Sequence, residues 1–298
     1  MGCSMSLPNS KMIPQISVII PASDATATIG AQLAALLSQR CDVRYEIVVV
    51  DNNSSDDTAD LARSYSTSNT PVRVVAASER SGPAYARNVG VAESAAPWVA
   101  FCDADDVVGA DWLSATARAL TEHEFVSGPL ELDLLNPVWL ADSRGRSFSN
   151  ARTTYVGLFP YASSCNIAIH RDVFERVGGF DESLRVGEDV ELSFRLWREG
   201  IDLHYEQSAS VHYRLRPELG ALFRQSRQYG AFQPVMLERL AEMDLPVPSR
   251  LSHTRKFGWL AVNAPLLRSR AGAARWLWVA GTCVGRLVGG ARIRRLYI

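Results

Sequence analysis

The sequence predicts an α/β fold in which a mixed, mostly parallel sheet is flanked by helices. From Ile16 onward, short runs of β-branched residues alternate with longer helical patterns, which is typical of consecutive β-α-β units. One run, WVAFCDAD (98–105), starts with apolar residues only, as expected of a strand that is buried on both faces. A chain of 298 residues with 47% hydrophobic side chains is long enough for one large domain and an appendage.

The alternation assigns the elements in order. Strands are predicted at residues 16–21, 45–51, 72–76 and 98–105, and helices at 26–39, after Ser54, Ser55 and Asp56, from Pro83, and at 110–122. Between 124 and 170 the alternation ends, and antiparallel strands and loops are expected there. A helix at 189–198 follows, with short strands at 202–205 and 209–213.

Helices are predicted again from Pro217 to the end of the chain. Three prolines indicate a linker to the C-terminal tail, namely Pro234, Pro246 and Pro248. We therefore divide the chain into a flexible lead (1–15), a large α/β domain (16–215) and a helical C-terminal region (216–298) that ends in a basic amphipathic tail.

Charge is divided unevenly along the chain, beneath a formal net charge of −1. Beyond Asp244 there is no acid but ten Arg or Lys, which leaves 21 bases against 32 acids in residues 1–244. The tail interleaves its Arg residues with Trp and Leu, a composition typical of helices that bind an anionic membrane surface. Two interpretations stay open: residues 250–298 contact a membrane, or they pack on the rest of the chain or on a second subunit. The acidic body makes nucleic acid a poor partner.

Cysteine usage and hydropathy indicate a cytoplasmic protein. Five scattered cysteines show no metal-ligand spacing and fit a reducing compartment: Cys3, Cys41, Cys102, Cys165 and Cys283. The first 15 residues lack the apolar run of a secretory signal, and no stretch reaches the roughly 18–20 apolar residues that a spanning helix needs. We expect a cytoplasmic protein, which is peripheral on the inner face of the cell membrane if the tail binds lipid.

Acidic residues follow three of the predicted strands. Parallel sheets bind ligands beyond the carboxyl ends of their strands, and Asp24, Asp51 and Asp103 stand at or just past such ends. The run FCDADD (101–106) has three carboxylates within four residues, which repel one another unless a cation lies between them. Asp103 and Asp105 can share a divalent ion, and oxygen ligands favour Mg²⁺ or Mn²⁺. The run VVVDNNSSDDT (48–58), taken alone, is better explained as a helix-capping loop.

Two predicted helix starts contain further candidate site residues. SGPAYARNVG (81–90) has Arg87 one turn into a helix, where it either closes on a nucleotide diphosphate or pairs with a nearby acid. GEDVEL (187–192) has Glu188 and Asp189 at a helix start, where the helix dipole favours acids. A helix start that projects into a cleft is also a suitable mount for a general base.

Taken in order, six motifs resemble glycosyltransferase family 2: PASDAT, VVVDNNSSDDT, GPAYARNVG, FCDADD, SSCNIAIHRDVFERVGGFDE and GEDVELSFRL. The resemblance covers about Ile16 to Tyr213, and six motifs in correct order are far more specific than any one of them. It implies a GT-A fold with its catalytic domain at 16–215. It also implies an inverting, metal-dependent enzyme that moves a sugar from a nucleoside-diphosphate sugar, with UDP-sugars favoured, to a hydroxyl acceptor.

The same resemblance implies roles for individual residues. Asp24 and Asp51 would hold the base and ribose of the donor with help from Arg87. The full donor-binding set would be Pro21, Ala22, Ser23, Asp24, Asp51, Asn53, Gly82, Arg87, Asp103, Ala104 and Asp105. The ligands of Mn²⁺ or Mg²⁺ would be Asp103, Asp105 and His212. The catalytic base would be Asp189, with Glu188 as its neighbour.

The expected acceptor is a glycan or a lipid-linked intermediate of the cell envelope or of a polysaccharide, with FPYASSCN (159–166) on the acceptor side. The alternatives are a catalytically inactive relative that binds nucleotide sugars and a sugar-phosphate nucleotidyltransferase. The intact acidic motifs argue against the first. The second is disfavoured because PASDATAT, near the first strand, is acidic and lacks a Gly-rich loop with Arg or Lys. The sequence leaves open the sugar, the nucleotide and whether the chain forms a homo-oligomer.

Overall fold

The computed structural model describes residues 14–68, 70–145, 152–249, 252 and 254–297. Most of the lead predicted at 1–15 therefore lies outside the described residues. The strands are β1 (Ile16–Ala22), β2 (Tyr45–Asp51), β3 (Val72–Ala76), β4 (Trp98–Phe101), β5 (Val107–Val108), β6 (Phe125–Ser127), β7 (Leu130–Glu131), β8 (Thr154–Tyr155), β9 (Phe159–Pro160), β10 (Ile167–His170), β11 (Leu203–Tyr205) and β12 (Val211–His212).

Seven of these strands form the central sheet, in the order β11-β6-β10-β4-β1-β2-β3. β1 pairs in parallel with β2 and β4, and β2 pairs in parallel with β3. β10 is antiparallel to both β4 and β6, whereas β11 runs parallel to β6. The predicted mixed, mostly parallel sheet is confirmed. A smaller sheet, β5-β12-β7, lies beyond β4, and β8 pairs with β9 as a hairpin.

The core lies on both faces of the sheet because the central strands have apolar residues at successive positions. In β1, Val18 and Ile20 contribute to one buried cluster together with Leu33, whereas Ile19 contributes to the other together with Phe101. A strand that is covered on both faces has no position for an exposed polar side chain. The functional candidates accordingly lie at and beyond the carboxyl ends of the central strands.

The helices are α1 (Ile29–Leu37), α2 (Thr58–Ser64), α3 (Pro83–Ala92), α4 (Trp112–Leu120), α5 (Val138–Arg144), α6 (Arg171–Arg176), α7 (Glu188–Arg198), α8 (Leu219–Ala241), α9 (Thr254–Val262) and α10 (Arg270–Arg292). Two 3₁₀ turns are at Ser164–Asn166 and Ala264–Arg268. The predicted helix at 189–198 is confirmed to within one residue.

The predicted strand at 98–105 is too long. β4 ends at Phe101, and the chain turns so that the Asp106 N–H donates to the Asp103 carbonyl oxygen. Acidic side chains in a fully buried strand would have no solvent and no counter-charge. The turn instead carries the acids out of the sheet at its carboxyl edge.

The assignment of Pro234 to a linker is wrong. Pro234 lies inside α8, is buried, and leaves the 23-residue helix continuous. An internal proline removes one backbone hydrogen bond. Packing on both sides of it stabilises the helix, since Phe232 and Met236 belong to a cluster with Phe194 of α7.

α10 packs along α8 through a row of glycines. A Cβ atom on Gly285 would lie 2.2 Å from the Arg227 carbonyl oxygen, and one on Gly289 would lie 2.2 Å from the Ala231 carbonyl oxygen. The two backbones are therefore in direct contact, and α10 packs on the rest of the chain. α9, in contrast, buries none of its described residues. No helix in the described ranges is long and apolar enough to cross a membrane.

Candidate active site

The loops after β1 and β2 are joined through their polar side chains. The Asp24 Oδ1 atom accepts hydrogen bonds from the Ser55 backbone N–H at 2.7 Å and from the Ser55 hydroxyl at 3.0 Å. The Thr26 N–H donates to Asp56 Oδ2 at 3.1 Å. Asp24 and Asn53 both have positive φ, at 49° and 61°, a conformation in which Asp and Asn are enriched. Asp24 thus organises the two loops, and its exposed side chain is at the rim of the cleft.

Asp51 ends β2 with one unsatisfied oxygen. Its Oδ1 atom is buried and accepts no hydrogen bond from a described residue. The neighbouring Asn52, which the sequence analysis missed, makes three hydrogen bonds: its Nδ2 donates to the carbonyl oxygens of Ala77 and Arg80, and its Oδ1 accepts from the Gly82 N–H. Asn52 fixes the loop that leads into α3, while Asp51 keeps an acceptor for a ligand.

Arg87 connects the acids of two distant segments. Its side chain is only 2% exposed; Nη2 lies 2.5 Å from Asp103 Oδ1, and Nη1 lies 3.0 Å from Glu188 Oε1. The ring of Phe180 lies 5.6 Å below the guanidinium. Burial lowers the pKa of Arg87, but the charges of Asp103 and then Glu188 outweigh it and leave that pKa raised. Both terminal nitrogens are thus occupied by protein carboxylates.

Glu188 and Asp189 begin α7, after Gly187 in the left-handed conformation. Asp189 Oδ1 accepts from the Val190 N–H at 2.8 Å, and Asp189 Oδ2 accepts from the Ser164 N–H at 3.2 Å. Burial, and second the negative charge of Glu188, raise the pKa of Asp189 to about 7. This carboxyl group is therefore able to take up and release a proton near neutral pH.

A group of potential ligand atoms lies at the end of β4. Asp103, Asp106 and Cys165 each offer one atom, and these atoms lie within 4.8 Å of one another. Asp106 Oδ1 accepts from the Arg214 N–H at 2.7 Å, whereas its buried Oδ2 has no partner among the described residues. The carboxylate oxygens suit Mg²⁺ or Mn²⁺, and the cysteine sulfur does not. Asp106, the third acid of FCDADD, was missed as a ligand candidate because the motif directs attention to Asp103 and Asp105.

Within the described part of the chain, Asp105 and His212 do not join this group. Burial, and second the charge of Asp103, raise the pKa of Asp105 to about 6. β12 pairs with β5 so that His212 is opposite Val107, two residues from Asp105. His212 Nδ1 lies 2.6 Å from Glu131 Oε2. A histidine that binds a metal through one ring nitrogen commonly donates from the other to a carboxylate.

The other residues that are predicted to bind the sugar donor differ in their exposure. Ala22 and Ala104 are buried, and Pro21 and Gly82 are partly buried. Ser23 and Asn53 are exposed. Gly82 has a φ of 145° at the start of α3, a conformation that few other residues adopt.

Comparison with known proteins identifies the family. The model of glycosyl transferase family 2 matches residues 17–178, and that of glycosyl transferase family group 2 matches residues 98–289. The chain belongs to glycosyltransferase family 2. It is 31% identical over 234 residues to the glycosyltransferase AglE of Haloferax volcanii, with 77% of each chain covered. It is 28% identical to the succinoglycan biosynthesis protein ExoO of Rhizobium meliloti, over 71% of this chain and 64% of ExoO.

Solved structures show that this glycosyltransferase has the GT-A fold. The mannosyltransferase PcManGT of Pyrobaculum calidifontis, in complex with GDP-Man and Mn²⁺, matches with a TM-score of 0.68 at 18% identity, over 93% of this chain and 88% of PcManGT. TarS 1–349 of S. aureus, in complex with UDP, matches with a TM-score of 0.54 at 17% identity, over 95% and 93% of the two chains. The predicted family and fold are both confirmed.

We predict that Arg87→Met lowers the free energy of unfolding by about 3–5 kcal/mol, because it leaves Asp103 and Glu188 without their shared buried cation. Urea denaturation of both proteins measures the difference. The matched control is Arg80→Met, since Arg80 is 67% exposed and pairs with Glu182 at the surface. The control should cost no more than about 1 kcal/mol. Equal losses in the two variants would contradict a special role for the Arg87 bridge.

Proposed function

We propose that the protein is an inverting glycosyltransferase that uses a divalent metal and a nucleoside-diphosphate sugar, with Asp189 as its catalytic base. The observation that carries the proposal is the Arg87 bridge, which joins Asp103 of the DAD turn to the acids at the start of α7. It brings a candidate metal ligand and a candidate base to one crevice. The chain spans 77% of AglE but only 64% of ExoO, so the substrates remain part of the proposal.

Asp189 has the environment that a general base needs. Its side chain is partly exposed, and its pKa of about 7 leaves it ionised for half of the time near neutral pH. The carboxylate removes the proton of the acceptor hydroxyl, and the oxygen then forms a bond to the anomeric carbon. The bond from that carbon to the diphosphate breaks on the opposite face, so the configuration inverts and nucleoside diphosphate leaves.

The candidate metal ligands are suited to a hard divalent cation. Asp103, Asp105 and His212 would hold Mn²⁺ or Mg²⁺, and Asp106, with an unpartnered oxygen near Asp103, is a further candidate. A bound ion supplies positive charge for the departing diphosphate. Arg87 is a positioning residue, since its two nitrogens are engaged by protein acids. This assignment differs from the sequence-based interpretation of Arg87 as a direct donor contact.

Asp51 supports binding of the nucleoside. Its unpartnered buried oxygen at the end of β2 is a suitable acceptor for a ribose hydroxyl or for an N–H group of the base. The structural neighbours bind GDP-Man and UDP, which agrees with a nucleoside-diphosphate donor. We favour a UDP-sugar as the donor. The acceptor would be a glycan or a lipid-linked intermediate in envelope or polysaccharide synthesis, as the name of ExoO suggests for that relative.

A lipid-linked acceptor agrees with the character of the C-terminal tail. α9 buries none of its described residues, and exposed apolar side chains include Phe257, Val262 and Leu267. Arg255 and Lys256 add positive charge to the same helix. We propose that this surface rests on an anionic membrane, while α10 holds it against the catalytic domain.

Asp189→Asn should abolish sugar transfer but preserve metal-dependent nucleotide binding, because the amide cannot accept the acceptor's proton. The measurement is release of nucleoside diphosphate from UDP-, GDP- and dTDP-sugars with Mn²⁺. In the wild type, kcat/KM should fall about tenfold per pH unit below pH 7, since a base with a pKa of about 7 is protonated there.

Asp202→Asn is the matched control, because Asp202 is exposed just beyond α7. It should keep wild-type turnover. Wild-type turnover in Asp189→Asn, or a flat pH profile between pH 5 and 8, would remove Asp189 from the role of base. Release of pyrophosphate instead of nucleoside diphosphate would point to a nucleotidyltransferase.

Glu131→Gln should weaken Mn²⁺ binding about 10–100-fold if His212 is a ligand, because Glu131 orients the imidazole. Titration of Mn²⁺ followed by electron paramagnetic resonance measures the free ion. Asp133→Asn removes the same charge from an exposed position two residues away and should have little effect. Unchanged Mn²⁺ affinity in Glu131→Gln would show that the Glu131–His212 pair does not serve the metal.

Val262→Ser and Leu267→Ser should each reduce co-sedimentation with anionic vesicles, because both side chains are exposed apolar groups of the tail. Deletion of the whole tail is a poor test, since it would also expose the face of α8 that α10 covers. Leu134→Ser is the matched control, as Leu134 is exposed outside the tail. Equal binding by all four proteins would argue against a membrane surface on α9.

A further inference from the structure

Arg286 of α10 is a buried cation with two unused donors. The residue is 1% exposed, and its Nη1 atom donates to Gln233 Oε1 of α8 at 3.0 Å. Its Nε and Nη2 atoms have no hydrogen-bond partner among the described residues. No carboxylate of the described chain forms an ion pair with it. A buried guanidinium in this state favours an anion, because an anion satisfies its unused donors and also offsets its charge.

Two further groups near Arg286 also favour an anion. The Tyr155 hydroxyl of β8 is buried and has no partner in the described residues. The ring of Tyr155 packs against a cluster that includes Phe232 and Met236 of α8, and Gln233, which lies between them in sequence, accepts from Arg286 Nη1. Burial lowers the pKa of Lys256 of α9, and the Arg286 charge lowers it further. Arg286 and the Tyr155 hydroxyl therefore share this region, and Lys256 lies on the neighbouring helix α9, which contacts α10.

The geometry of the unused donors selects the kind of anion. Nε and Nη2 lie on one edge of the guanidinium plane, the edge that binds two oxygens of a phosphate or carboxylate side by side. Among the described residues, the ring of Tyr297 lies against the guanidinium, with its centroid 5.4 Å from the guanidinium carbon. A tetrahedral phosphate can accept from this edge and, with a third oxygen, from the tyrosine hydroxyl.

We propose that Arg286 and Tyr155 form a phosphate-binding subsite between the C-terminal helices and the β8-β9 hairpin. The subsite lies on the same side of the molecule as the base. The ring of Tyr155 is 6.3 Å from that of Tyr161, and the Asp189 charge adds to the effect of burial in raising the Tyr161 pKa. It suits the phosphate of a phospholipid headgroup or of a soluble phosphorylated compound. Phosphate binding here does not require that the protein transfer sugar.

Calorimetric titration of the full chain with inorganic phosphate, in buffer with EDTA, tests the subsite. The wild type should bind, and Arg286→Gln should bind at least about tenfold more weakly, because two charge-assisted hydrogen bonds are lost. Arg292→Gln is the matched control: Arg292 is exposed on the same helix, and its loss should leave the affinity unchanged. Equal affinity in Arg286→Gln and the wild type overturns the proposal.

If Arg286→Gln does not fold, Tyr155→Phe provides a second test of the subsite. The hydroxyl has no hydrogen-bond partner in the part of the chain that the structure describes, so its removal should leave the unfolding midpoint unchanged while it weakens phosphate binding severalfold. Unchanged phosphate affinity in this variant also overturns the subsite. Vesicles of phosphatidylcholine with and without phosphatidic acid then distinguish the sources. Arg286-dependent binding to phosphatidic acid assigns a lipid phosphate, and its absence alongside Arg286-dependent binding of inorganic phosphate assigns a soluble one.

Discussion

The buried guanidinium of Arg87 is the interaction on which the site depends. Asp103 and Glu188 are 85 positions apart in the sequence, and each would be repelled by the other acids of the crevice without a cation between them. A buried pair of this kind adds little net stability, because desolvation offsets much of the attraction. Its effect is to fix geometry. The end of β4 and the start of α7 are held at a set separation, with the candidate ligands and base on either side.

The carboxyl edge of the parallel strands supplies the rest of the site. β1, β2 and β4 are adjacent, so the loops that follow them meet, and each presents an acid or amide to the same cleft. Many of these groups are already used within the protein: Asp24 binds Ser55, and Asn52 binds the loop before α3. The polar groups that have no partner among the described residues indicate where a ligand can bind. The unpaired oxygens of Asp51 and Asp106 mark where a ligand or ion can gain most from binding.

The C-terminal region is part of this arrangement and not a loose appendage. A Cβ atom on Gly187 would lie 2.4 Å from Phe232 of α8, so the residue before Glu188 is pressed against that helix. α8 is in turn covered by α10 through backbone contacts at Gly285 and Gly289. Packed helices therefore connect the tail to the segment that carries the base. α9 buries none of its described residues and leaves Phe257 and Val262 exposed, which separates a packing role for α10 from a surface role for α9.

The sequence by itself determined the order of the first four parallel strands and the helices that follow them, the family, and the acids at the strand ends, because apolar periodicity and turn chemistry are local properties. It did not predict α5 or α6. It did not reveal Asn52, Asp106 or Glu131, nor the burial of Arg286. The sequence-based prediction also placed the end of β4 too late and assigned Pro234, which lies inside α8, to a linker. These features depend on contacts between residues 25 to more than 100 positions apart, such as Asp106 with Arg214. Whether a polar group is buried, which partner it has and which of its atoms lack a hydrogen bond are decided only when the chain packs. The tertiary structure alone therefore decided which acids bind other protein groups and which remain available to a ligand.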